Sequence, residues 1–173
     1  KTADVVLNDC VVPAQNIIGG VAGVGFKTAM KVLDRGRLHI SGVSVGIAER
    51  LIRECISYAS DRKQFGKAIS EFQLIQAMLA DSKAEAYAAR CMVINAAEKK
   101  DSGEVITLEA ACSKMFSTEM VGKVADRAVQ IFGGAGYIAE YPIERLYRDV
   151  RLFRIYEGTT QIQQLIIARE MLK

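Results

Sequence analysis

Three long stretches of this sequence carry apolar residues at the period of a helix face, about 3.6 residues, with only short breaks between them. The first runs from about Phe26 to Arg62, with Met30, Leu33, Leu38, Val45, Ala48, Leu51 and Ile52 among its apolar positions. Gly42 and Gly46 lower its helix propensity and would allow close contact with a neighbouring helix. The second opens at Ser70-Glu71-Phe72-Gln73, which has the form of a capping box. Its stripe is Phe72, Ile75, Leu79, Ala86, Ala89, Val93 and Ala96, and it ends near Ser102-Gly103. The third spans about Val105 to Phe132, striped by Leu108, Ala111, Met115, Gly122, Ala125, Val129 and Phe132, with Gly133-Gly134 to close it. A shorter helix follows Pro142, which suits a first-turn position, and reaches about Val150. A last one runs from near Thr160 through Leu165 and Ile166 to Met171. Long helices joined by short links predict an all-α fold, an antiparallel up-and-down helical bundle.

Ahead of the bundle lies a short extended segment. Val5 to Val12 is β-branched and apolar, ends at Pro13, and reads as a strand. A lone strand is not stable, so its sheet is expected elsewhere. Gly19, Gly20, Gly23 and Gly25 form a hinge, which divides the chain into residues 1–25 and a helical domain of 26–173. With 173 residues, 50% of them hydrophobic and 25% charged, the chain can bury one real core, and it is neither disordered nor membrane-spanning. The net charge of +3 is interspersed rather than clustered, and Glu98-Lys99-Lys100-Asp101 is a solvated helix end; no nucleic-acid partner is expected. No apolar run of membrane-spanning length and no leader peptide is visible, although Lys1 reads as a start in mid-protein.

Cys10, Cys55, Cys91 and Cys112 form no CxxC pair and have no nearby histidine, so free, mostly buried thiols are expected and a metal site is not. His39 is the only histidine, which excludes any mechanism needing two.

Three stretches carry candidate chemistry. In Tyr156-Glu157-Gly158-Thr159-Thr160-Gln161-Ile162-Gln163 a lone carboxylate stands between an aromatic ring and a glycine. That suits a general base which a substrate can approach closely, but it is also an ordinary turn with Thr159 or Thr160 as a helix N-cap. Asp61-Arg62-Lys63-Gln64-Phe65-Gly66-Lys67 places an arginine after a long helix, either facing the helix dipole or free to pair with a phosphate. Gln130-Ile131-Phe132-Gly133-Gly134-Ala135-Gly136-Tyr137 is either a glycine-capped helix end or exposed backbone against which a flat ligand can lie. Asp34-Arg35-Gly36-Arg37 puts Asp34 and Arg37 on one side of the first helix, where a surface salt bridge is the bland account. Gln73, on its own, reads as the reciprocal member of a capping box.

The order and spacing of these stretches resemble the C-terminal domain of the flavin-dependent acyl-CoA dehydrogenases, from about Val5 onward. The resemblance implies that residues 1–25 are the tail of a middle β-domain and a linker. It implies FAD as cofactor, contacted by Arg62, Phe65, Gln73, Gln130, Ile131, Phe132, Gly133, Gly134, Thr159, Thr160 and Gln161. Of these, Arg62 and the 130–134 segment would serve the flavin of a neighbouring subunit, which makes a homo-oligomer, a dimer of dimers, the expected state. Asp34, Arg37, Tyr156 and Gly158 would contact an acyl-CoA substrate. Glu157 would remove its α-proton, yielding a trans-2-enoyl-CoA, and electrons would pass on to an electron-transfer flavoprotein. Some branches of the family carry the base on the first helix and lack Glu here; Glu157 is present, as in the majority branch. Gly36, between Asp34 and Arg37, departs from no requirement of that pattern. A cytoplasmic or mitochondrial-matrix enzyme is implied, with this fragment inactive alone. The rivals are an acyl-CoA oxidase and a non-catalytic helical oligomerisation module.

Overall fold

A computed structural model describes residues 3–173, and the chain divides into two compact units, Lys1–Val32 and Leu33–Lys173. In the first, residues 5–12 are exposed and form no strand, with Val11 94% exposed. The predicted strand is therefore absent: no described residue pairs with it, and a strand's N–H and C=O groups need a neighbour. A single 3₁₀ turn follows Pro13 at Ala14–Asn16, and Gly19, Gly20 and Gly23 take positive φ before the first helix.

Helix α1 (Gly25–Asp61) begins in that unit and continues into the second. Its later half buries Val45, Ala48, Leu51, Ile52 and Cys55, whereas Met30, expected on the apolar face, is exposed. A short hairpin follows, β1 (Lys63–Gln64) against β2 (Lys67–Ala68), antiparallel with Lys63 opposite Ala68. Its turn is Phe65-Gly66, with φ of 52° and 82°; positive φ at both centres matches the right-handed twist of a tight hairpin.

Helix α2 (Gln73–Asp101) then starts without a side-chain cap, so the Ser70/Gln73 capping box does not form. Ser70 instead sits in a 3₁₀ turn (Ile69–Glu71), and Glu71 takes the capping role, its Oε1 accepting from the Ala68 N–H at 3.2 Å. Helices α3 (Thr107–Phe132), α4 (Ile143–Arg151) and α5 (Thr160–Met171) complete the bundle. Pro142 caps α4, and Gly133 closes α3 at φ 60°, its N–H reaching the Val129 and Gln130 carbonyls.

Helix α3 is the hub, packing on α2, α4 and α5. The faces that meet are rich in alanine: Ala48 and Ala59 of α1, Ala86 and Ala89 of α2, Ala125 and Ala128 of α3. Small side chains let the helix backbones approach closely. Larger residues such as Leu51, Ile143 and Val150 fill the spaces between, each fully buried one contributing roughly 1.5–3 kcal/mol. Arg127 of α3 grips Glu85 of α2 with two hydrogen bonds of 2.8 and 3.1 Å, which hold the Glu85 carboxyl below its ordinary pKa.

Two further expectations need correcting. Only Cys55 is buried; Cys112 is half-buried, and Cys10 and Cys91 are exposed. Gly42 and Gly46 admit no close helix contact within this chain, since a Cβ at either would meet nothing within 4 Å. Gly122 is the tightly packed one: a Cβ there would lie 2.8 Å from Arg154 Cζ.

Candidate active site

Where α1 ends, the hairpin, the start of α2 and the C-terminal end of α3 enclose an open groove of about 1550 Å³. Its walls include Arg62, Phe65, Gln73, Ile131, Phe132, Gly133 and Gly134, so seven of the predicted cofactor residues come together although they lie on separate elements. An aromatic brace fixes this end of the bundle. Tyr58 stacks on Phe132 with ring centroids 4.0 Å apart, and Tyr141 packs edge-on against both. Arg62 is exposed and has no ion-pair partner among the described residues. Phe65 is 93% exposed on a positive-φ backbone, an arrangement whose strain and solvation both work against it unless something covers the ring. Gly133 and Gly134 face open space. Gln130 is not part of the wall; its carbonyl caps α3.

A second cluster shares no residue with the groove. It centres on Glu157, one of only three non-glycine residues with positive φ among those described, at 55°. Gly158 follows at φ 87°, where a Cβ would lie 2.7 Å from Gln163 Nε2. This strained turn is held from beneath. Gln163 Nε2 donates to the carbonyls of Glu157 (3.1 Å) and Gly158 (3.0 Å), and Lys114 Nζ donates to the Gly158 carbonyl at 2.7 Å. Both side chains are fully buried. Thr159 is the N-cap of α5, accepting from the Ile162 N–H at 3.3 Å, and Thr160 donates to Glu119 Oε1 at 2.7 Å. Gln161 is exposed. Thr159 and Thr160 thus have local structural partners, and none of the three lines the groove.

The Glu157 carboxylate forms no ion pair among the described residues and rests against Gly36 of α1; a Cβ at Gly36 would lie 2.9 Å from its Cδ, with Oε2 closer still. Gly36 therefore has a clear role: it leaves room for the carboxylate. On the same helix Arg37 donates to Asp34 Oδ1 at 2.8 Å, and Asp34 Oδ2 accepts from Thr107 Oγ1 at 3.0 Å. With Arg37 only 7% exposed, this is no surface salt bridge, and its buried Nε lacks a partner. Tyr156 stacks on Phe153 at 5.6 Å and packs against the core; burial, then the Glu157 charge, raises its pKa. Burial and the nearby Arg37 guanidinium push the Lys114 ammonium down to about 8, against the opposing pull of Glu119 and Glu157.

Sequence reasoning missed Lys114, Gln163 and Gly36. A signal existed for the first: Lys114 falls one turn from Ala111 and from Thr118, within the buried stripe of α3.

Among the described residues no helix is long and apolar enough to cross a membrane, and no group of three or more His, Cys, Asp or Glu is placed to hold a metal. The chain matches the family description "Acyl-CoA dehydrogenase, C-terminal domain" over residues 23–172. It is 46% identical to subunit CarC of the caffeyl-CoA reductase–Etf complex of Acetobacterium woodii, covering 99% of this chain and 45% of that one. It is also 46% identical to the probable acyl-CoA dehydrogenase YngJ of Bacillus subtilis, covering 100% and 45%. The structure of butyryl-CoA dehydrogenase from Megasphaera elsdenii superposes with a TM-score of 0.90 at 42% identity, over 94% of this chain and 42% of that one. The chain thus spans less than half the length of these relatives. With that match over nearly all of its own length, it belongs to the acyl-CoA dehydrogenase family, as the C-terminal helical domain.

Proposed function

We propose that this chain is the C-terminal domain of a longer FAD-dependent enzyme that interconverts an acyl-CoA and its trans-2-enoyl-CoA. The observation that carries the reading is the Glu157 carboxylate, free of ion pairs, set on a strained backbone against a bare glycine. Glu157 takes the α-proton of the thioester onto a carboxylate oxygen, and the electron pair of that C–H bond becomes the new double bond. FAD, when bound, supplies the acceptor for the β hydrogen and its electron pair. Tyr156 and Gly158, which flank Glu157 in the chain, and Asp34 and Arg37, which flank Gly36 on α1, are the substrate contacts of this reading. The same carboxylate, once protonated, returns the α-proton in the reductive direction. The name of the caffeyl-CoA reductase relative favours that direction as a second reading. That relative's name also supports an electron-transfer flavoprotein as redox partner.

The groove residues fit part of a flavin dinucleotide. An unpaired guanidinium suits the pyrophosphate, Phe65 offers an exposed aromatic face, and the glycine pair leaves space that a Cβ would fill. Because the groove and the Glu157 cluster share no residue, the groove suits the cofactor of a neighbouring subunit. A cofactor site shared in this way makes the protein a homo-oligomer with a symmetric partner. Thr159, Thr160 and Gln161 are proposed to meet the subunit's own flavin. The four free cysteines suit a reducing compartment, cytoplasmic or mitochondrial matrix.

Anaerobic titration of the full-length, flavin-loaded protein with a ladder of saturated acyl-CoAs tests the reaction. Bleaching of oxidised flavin by at least one member is expected. Absence of bleaching by every acyl-CoA, with no reoxidation of reduced flavin by any enoyl-CoA, would overturn it. Rapid turnover with oxygen in place of the electron-transfer flavoprotein would mark an oxidase instead.

Arg62→Ala in the same protein is expected to weaken FAD retention by roughly 1.5–3 kcal/mol, the cost of one charge-assisted contact. The melting temperature of the apo-protein should hold, because Arg62 is exposed at the helix end. Equal losses in apo stability and flavin affinity would mark Arg62 as structural.

A further inference from the structure

We infer that Lys114 and Gln163 are positioning residues: from beneath the active-site turn they clamp its carbonyls and so aim the Glu157 carboxylate at the space beside Gly36. The inference rests on Glu157 being the base. Two consecutive residues with positive φ, one of them not glycine, persist only where their surroundings over-determine them. Here the over-determination is visible. Three hydrogen bonds of 2.7–3.1 Å from two fully buried side chains converge on two adjacent carbonyls. Gln163 has one workable orientation, because a flipped carboxamide would set its oxygen against both carbonyl oxygens. It keeps this orientation even though its Oε1 is left buried without a partner. Lys114 likewise spends a buried ammonium, a costly group to desolvate, on a backbone carbonyl rather than on a carboxylate. The hydrogen bonds of both go to backbone carbonyls rather than to the carboxylate, so both act through Glu157.

The Lys114 ammonium is also a titrating link. The charged groups that act on it are Arg37 of α1, Glu119 of α3 and Glu157 of the turn itself. Its proton is lost near pH 8. Above that, the charge-assisted bond to Gly158 becomes a weaker neutral one, and the turn loosens.

The test uses the full-length, flavin-loaded enzyme with Lys114→Met, which keeps an unbranched chain one atom shorter and removes the donor, and with Gln163→Met. In each, the rate constant of flavin bleaching should fall roughly 10–100-fold, as a displacement near 1 Å would produce, while KM moves far less. FAD content should be unchanged, and hydrogen exchange of the amides from Tyr156 to Thr160 should rise. The parent's kcat/KM should decline along an alkaline limb centred near pH 8, and Lys114→Met should lose that limb. Bleaching within about twofold of the parent in both variants would overturn the inference, being far short of a misplaced base. If neither variant folds, the parent's own profile decides: no alkaline limb between about pH 7 and 9.5 overturns it as well. Glu157→Gln run alongside separates the two ideas. Should that variant bleach normally, the base assignment fails; should it alone be dead, only the clamp fails.

Discussion

Replacing Glu157 by Gln in the full-length flavoenzyme is expected to slow flavin reduction by about 10²–10⁴-fold, the usual cost of removing a general base. The turn itself should survive. Its supports grip the backbone carbonyls of residues 157 and 158, which the substitution leaves in place. Glutamine keeps the length and volume of the side chain, so it fits the space beside Gly36. Acyl-CoA affinity should therefore change little, and so should the melting temperature. With one histidine in the chain, His39, exposed on α1, no imidazole in this domain stands ready to substitute. Single-turnover stopped-flow bleaching of oxidised flavin gives the reading directly. Bleaching within a few-fold of the parent would place the base elsewhere, first on α1, whose Gly36 faces the same space.

The long helices were legible because burial repeats with the helix turn: Val45, Ala48, Leu51 and Ile52 are buried at the positions the period picks out. The groove's parts were visible as two separate stretches and Gln73, but their assembly was not, since α1, α2 and α3 bring their ends together only through tertiary packing. Three misses have physical causes. Val5 to Val12 has strand propensity, but propensity supplies no partner for its backbone groups. The expected cap of α2 is missing because a 3₁₀ turn at Ile69–Glu71 precedes the helix, and the capping box forms on that turn, with Glu71 accepting from the Ala68 N–H. Lys114 hid because a lone lysine on a helix ordinarily means solvent; only the fold shows two carbonyls turned inward to meet it and Gln163.

Gly36→Ala is expected to separate stability from function more cleanly than any other change in the domain. On sequence grounds alone it should be harmless or helpful, since alanine inside a helix is favoured over glycine by roughly 0.5–1 kcal/mol. In the structure, however, its methyl group would come 2.9 Å from Glu157 Cδ and closer still to Oε2. The obstacle is the far end of a flexible side chain rather than backbone, so the carboxylate swings aside at little cost to the fold. The backbone of the turn cannot follow, because Lys114 and Gln163 hold its carbonyls. A base displaced by about 1 Å costs on the order of 10²-fold in rate. The expected outcome is a melting temperature equal to or above the parent's, full FAD content, and flavin bleaching slowed by about 10–100-fold. Gly42→Ala is the matched control: it lies on the same helix, and its Cβ meets nothing within 4 Å, so bleaching should be unaffected. If Gly36→Ala bleaches as fast as Gly42→Ala, the carboxylate leaves Gly36 of its own accord when substrate arrives, and the contact does not set the position of the base.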